Sequence, residues 1–134
     1  MFDKKALFAY DDTKIEKVEC PEWGDLGKEI YVRTMSSKSR DTYEMGIVEA
    51  GKQAKEAREN GTLFEFTYNM RAEMAVGSIC DKDGNLLFET SDAKELGKKS
   101  AGVLDRIFTV AKRLSHFSEE DVEEMEKSLE SGAN

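Results

Sequence analysis

Four places in this 134-residue chain hold residue types at spacings that chemistry could use. The run Gly46-Ile47-Val48-Glu49-Ala50-Gly51-Lys52-Gln53 comes close to the phosphate-binding pattern G-x-x-x-x-G-K-[ST]. In that pattern the loop amides cradle phosphates and the closing hydroxyl holds magnesium. Gln53 has no hydroxyl, Glu49 would put a negative charge among phosphates, and the residues before Gly46 are polar and helical instead of a buried strand. The segment therefore reads as two glycines inside an amphipathic helix. Each costs about 1 kcal/mol against alanine, a cost that close packing on a neighbour would explain. Asp81-Lys82-Asp83-Gly84-Asn85 suggests a calcium loop, but that loop needs glycine at position 6 and glutamate at position 12, where Leu86 and Asp92 stand. Turn preference alone accounts for Asp, Gly and Asn together.

His116, the single histidine, is the one side chain suited to proton transfer near neutral pH. It falls between a helix end at Arg113-Leu114 and a cap at Ser118, where a cation is favoured without any catalysis. Cys20 and Cys80 lie 60 residues apart, with no Cys-x-x-Cys or His-x-x-x-His spacing, and read as free packing thiols of a reducing compartment. The expectation is no catalytic residue, no cofactor and no metal. A small nucleotide-binding enzyme built on Gly46–Lys52 ranks last among the functions considered.

Charge points the same way. Twenty-eight acids against twenty bases give −8, so the phosphate-neutralising excess of a nucleic-acid binder is missing. The stretch from Phe117 to Asn134 alone holds seven acids and one lysine, net −6. Within it Val122, Met125 and Leu129 recur at steps of three and four, the spacing of a docking seam. They are the candidate partner-binding residues, with packing on the protein's own core as the competing reading. No apolar run nears the roughly 20 residues of a membrane span, and Met1-Phe2-Asp3-Lys4-Lys5 lacks a leader's apolar core. The expected location is a cytoplasm, without membrane or nucleic-acid partners.

The elements that must position these residues follow from period. Lys14–Cys20 and Glu29–Met35 alternate apolar and polar side chains around a Pro/Gly-rich stretch, which predicts a β-hairpin over about 14–35. Residues 1–13 carry weaker signals, for an edge segment or a loose end. From about residue 37 the period is helical. Tyr43, Ile47, Ala50, Ala54 and Ala57 share one face, with Asn60-Gly61 as a stop. Thr62-Leu63-Phe64-Glu65 resembles a capping box, predicting a helix of about 17 residues through Ile79. A turn at 81–85, an apolar return at Leu86-Leu87-Phe88 and a short helix ending at Gly97 come next. A stronger helix carries Leu104, Ile107, Ala111 and Leu114, and a last one starts at Ser118. At Ser118 only the serine cap is expected, because Asp121 stands where a capping box prefers Glu. The fold class is mainly α (α+β): an N-terminal hairpin, then four to five helices. Residues 1–116 form one domain, and the acidic helix and tail at 117–134 belong to the same domain.

As an ordered set these segments resemble the lambda-type tail assembly chaperones of long-tailed bacteriophages. The resemblance rests on Val18-Glu19-Cys20-Pro21-Glu22-Trp23-Gly24, Ile30-Tyr31-Val32-Arg33-Thr34-Met35-Ser36 and the run from Ala75 to Phe88. It continues through Leu96-Gly97-Lys98-Lys99-Ser100-Ala101, Leu104–Phe108 and Leu114–Glu123, spanning residues 14–130. It implies a non-enzymatic protein that coats the tape measure protein while the tail tube polymerises. It also implies a frameshifted longer form that recruits tube subunits, self-association, residence in the host bacterial cytoplasm and absence from the mature virion. A structural minor tail or head–tail connector component of a phage or prophage particle is the alternative.

Overall fold

The computed structural model describes residues 1–62 and 68–133, with side chains through Lys127. Helix α1 spans Lys4–Ala9, and strand β1 (Ile15–Val18) leads through a 3₁₀ segment at Pro21–Glu29 into β2 (Ile30–Arg33). Helix α2 is long, Ser37–Glu59, and is followed by α3 (Met70–Val76) and β3 (Ile79–Cys80). A 3₁₀ turn at Thr90–Asp92, α4 (Ala93–Leu96), α5 (Ala101–Leu114) and α6 (Glu119–Ala133) complete the chain. The fold is one mainly helical domain around a small sheet, as the alternation and the helical periods require.

The predicted hairpin is present, with Ile15 opposite Arg33 and Val18 opposite Ile30, and it has a third strand. β3 pairs antiparallel with β2, placing Val32 opposite Ile79. This corrects the single helix expected through Ile79. Helix α3 starts only at the Asn69 cap, whose side chain accepts the Ala72 amide, and Gly77 ends it. The β-branched Ile79 then serves the sheet, where a two-stranded ribbon alone would be marginal in water. The proposed capping box at Thr62–Glu65 reaches into 63–67, outside the described residues.

The core gathers Val18, Val32 and Ile79 from the sheet, Met74 and Val76 from α3, and Val103, Leu104 and Ile107 from α5. Tyr43, Ile47, Ala50 and Ala54 face inward from α2, and Ala57 is half-buried near its end. Ion pairs brace α5 from outside. Arg113 meets Glu16 of β1, Arg71 of α3 meets Asp105, and Arg106 takes both oxygens of Glu22 at 2.9 and 2.7 Å.

The cap of α6 is fuller than expected. Ser118 Oγ accepts the Asp121 amide at 3.0 Å, and the Asp121 carboxylate accepts the Ser118 amide at 2.9 Å. Aspartate therefore closes the reciprocal box that glutamate usually closes.

A candidate docking surface and the fate of the other sites

The near-match to a phosphate loop lies wholly within α2, so its amides belong to helical hydrogen bonds and form no cradle. The structure also supplies the neighbour that tolerates the glycine. A Cβ on Gly46 would lie 2.8 Å from Cζ of Tyr68 and closer still to Cε2. Tyr68 Oη donates to the Tyr43 carbonyl at 2.6 Å, pinning its ring on the helix backbone. Asp81 is likewise committed to local structure. Its carboxylate accepts the amides of Asp83 and Asn85 at 2.9 and 3.0 Å, and those bonds, led by Asn85, hold its pKa down. Among the described residues no three His, Cys, Asp or Glu side chains converge as a metal set would.

His116 is exposed with φ 57°, a left-handed conformation uncommon outside glycine. Its amide bonds the Arg113 carbonyl and the Phe117 amide bonds that of Lys112, the two bonds of a Schellman C-cap. The same pair closes α2 at Gly61, where φ is 67°. His116 thus occupies a glycine position and turns the chain from α5 into α6. Cys20 and Cys80 are free and buried, and burial pushes both thiols up. A thiol so placed is a poor nucleophile.

Of the three stripe residues, Met125 is 8% exposed and belongs to the core, and half-buried Val122 packs against it. Leu129 lies in α6, its side chain outside the described residues. Arg40 of α2 fixes the start of α6. It lies 3.9 Å from the Phe117 ring centroid and contacts Glu44 at 2.8 Å, Asp121 at 3.2 Å and the Ser115 carbonyl at 3.3 Å. Val122 and Met125 could serve a partner only if α6 lifted from α2.

Large apolar side chains stay outside in several places, Met45 and Val48 of α2 and Leu86 and Leu87 among them. Helix α1 buries none of its residues, and Phe2 and Phe8 are each 79% exposed, with Leu7 and Tyr10 exposed between and beyond them. Asp3 caps this helix through the Lys5 and Ala6 amides, so the segment is held locally while burying no side chain among the described residues. On the core, Trp23, Leu26, Ile30, Phe88 and Leu96 line a groove of about 570 Å³ with Asp92, Glu95 and Lys99 at its edge. Leu26 is 82% exposed there. The Arg106–Glu22 pair fixes the 3₁₀ segment that carries Trp23, and the guanidinium holds the Glu22 carboxyl down to about 2.

Sequence reading passed over these regions. The edge segment or loose end expected of residues 1–13 is instead a helix capped by Asp3, with Leu7 and Phe8 exposed on it. The groove joins two stretches far apart in the chain, 23–30 and 88–99, which spacing cannot reveal.

Among the described residues no helix is long and apolar enough to cross a membrane. Neither a curated protein nor a solved structure matches the chain significantly. The sequence profile of one family, the phage tail assembly chaperones, does match, and it covers residues 4–128. That span runs from the start of α1 into α6, and the chain belongs to the phage tail assembly chaperone family.

Proposed function

We propose that the protein is a non-enzymatic chaperone that binds the tape measure protein and keeps it soluble while the tail tube assembles. The observation that carries this reading beyond family membership is the unpartnered apolar surface of α1 beside an otherwise well-packed core. A helix that presents Phe8 to water, with Phe2 exposed just before its cap, is expensive to keep unless something covers it. An amphipathic helix of a long partner could be covered in this way at many weak points, each released as the tube displaces it. The net charge of −8 would keep loaded subunits from associating non-specifically.

On this reading the protein works in the host bacterial cytoplasm, self-associates along its client and is absent from the finished tail. A frameshifted longer form would bring the tail tube protein. The contact is assigned to α1 and the Trp23–Leu26–Phe88 groove first. The stripe Val122, Met125 and Leu129 comes second, because use of Val122 and Met125 requires α6 to move.

Phe2→Glu with Phe8→Glu tests the assignment. Neither side chain is buried, so the variant should fold and unfold like the parent while retaining much less tape measure protein on co-purification. Undiminished co-purification would remove α1 from the contact. Met125→Lys is a poorer probe, because it places a charge in the core.

A further inference from the structure

A second cavity, of about 640 Å³, opens between the first turns of α2, the α3 helix and the return after β3. Thr42, Tyr43, Glu73, Val76 and Phe88 are among its walls. Two of these residues carry polar side-chain atoms with no partner among the described residues. Tyr43 is 2% exposed and its Oη makes no hydrogen bond. The Glu73 side chain is half-buried and its carboxylate has no ion pair or hydrogen bond among the described residues, and burial pushes its pKa up. A carboxylate withdrawn from water without a compensating donor is unfavourable, and a chain under no other demand would replace it.

The remaining lining narrows what could compensate it. Val76 and Phe88 give apolar walls that suit an aliphatic stem. Ser39 and Thr42 add hydroxyls on the α2 side. Lys38 and Glu89 also line the cavity, and among the described residues no salt bridge joins Lys38 to Glu73. A metal ion is not favoured, since no three His, Cys, Asp or Glu side chains converge among the described residues.

We infer that this cavity receives a cationic side chain, lysine or arginine, from a bound polypeptide, with Glu73 as its counter-ion. The stem lies along Val76 and Phe88 and the head reaches the carboxylate. The pocket would set register along a helical client, because a charge buried out of place finds no partner. The inference does not depend on which polypeptide is held, and it is tested without one.

Carbon-detected NMR of the full chain, observing the Glu73 carboxyl and the Tyr43 ring, tests it by titration. The probes are n-butylguanidinium and N-acetyl-lysine methylamide, with neutral N-acetyl-norleucine methylamide as the control. Both cations should shift the two sites saturably and the neutral probe should not. Glu73→Gln should weaken cation binding about tenfold or more, as loss of a charge-assisted bond requires, while Lys38→Gln leaves it equal or tighter. Equal response to the neutral probe, no saturable shift, or unchanged binding in Glu73→Gln would overturn the proposal. Spermidine binding more tightly than both probes would assign the pocket to free polyamines and overturn the polypeptide source. Failure here would leave the coexpression test of the chaperone role untouched.

Discussion

Gly46→Ala should destabilise the protein although alanine is the better helix former. In an open helix the change would gain about 1 kcal/mol. Here the new methyl lies 2.8 Å from Cζ of Tyr68, and closer to Cε2, so the ring must move. The ring is held at its far end by the 2.6 Å bond from Oη to the Tyr43 carbonyl. Overpacking of this kind costs about 1–3 kcal/mol, and a strained or lost hydrogen bond adds about 0.5–1.5 kcal/mol. After the propensity gain, the net loss should be about 1–3 kcal/mol. Urea unfolding followed by circular dichroism would measure it as a lower midpoint at unchanged slope. The decisive arm uses Tyr68→Ala as background. With the ring gone, Gly46→Ala should become neutral or stabilising by up to about 1 kcal/mol, a reversal of sign and hence a large coupling. If Gly46→Ala stabilises the parent, or destabilises both backgrounds equally, the account of this glycine is refuted.

Three further outcomes follow from other parts of the structure. His116 holds φ 57° at a C-cap that suits glycine, so His116→Gly should gain up to about 1 kcal/mol by urea unfolding. His116→Val should lose stability, because a branched side chain fits that conformation poorly. Arg40 joins α2 to the α5–α6 elbow, and Arg40→Ala should cost about 1–3 kcal/mol and speed amide exchange in α6. Arg40→Lys should not restore it, for want of the planar fork. Arg106 holds Glu22 at about 2 against 4.5 unfolded, so between those values the unfolded chain binds more protons. The pair's contribution is therefore present above pH 4.5 and is lost as pH falls toward 2. Glu22→Gln should lessen the fall in urea midpoint between pH 6 and pH 3, and an unchanged fall would contradict the pairing.

Much of the fold was legible because its signals are local. Alternation flanking Pro21 to Gly27 gave the hairpin, and the four-three-four spacing from Tyr43 gave α2. Reading failed where an element owes its form to something distant. Ile79 and Cys80 look like the end of an apolar helix, yet they pair with Tyr31 and Val32, almost fifty positions earlier. Asp121 completes a cap because Arg40, eighty-one positions away, also holds its carboxylate in place. The candidate surfaces were the least legible. Trp23, Phe88 and Leu96 meet only through tertiary packing, and Glu73 resembles any glutamate on a helix until its surroundings are seen. The acidic end showed its charge in the sequence, but only packing shows that Met125 faces α2.

The central claim is that this chain keeps a tape measure protein soluble. Its most direct test is coexpression with the long tape-measure-like product of the large gene downstream, scoring how much of that product stays soluble and co-purifies. The account predicts a soluble complex that depends on this chain, or on this chain together with its frameshifted form, and no trace of the chain in purified particles. Continued aggregation of the tape measure with both forms present would contradict it. Persistence of the chain in finished particles would favour the structural tail component instead.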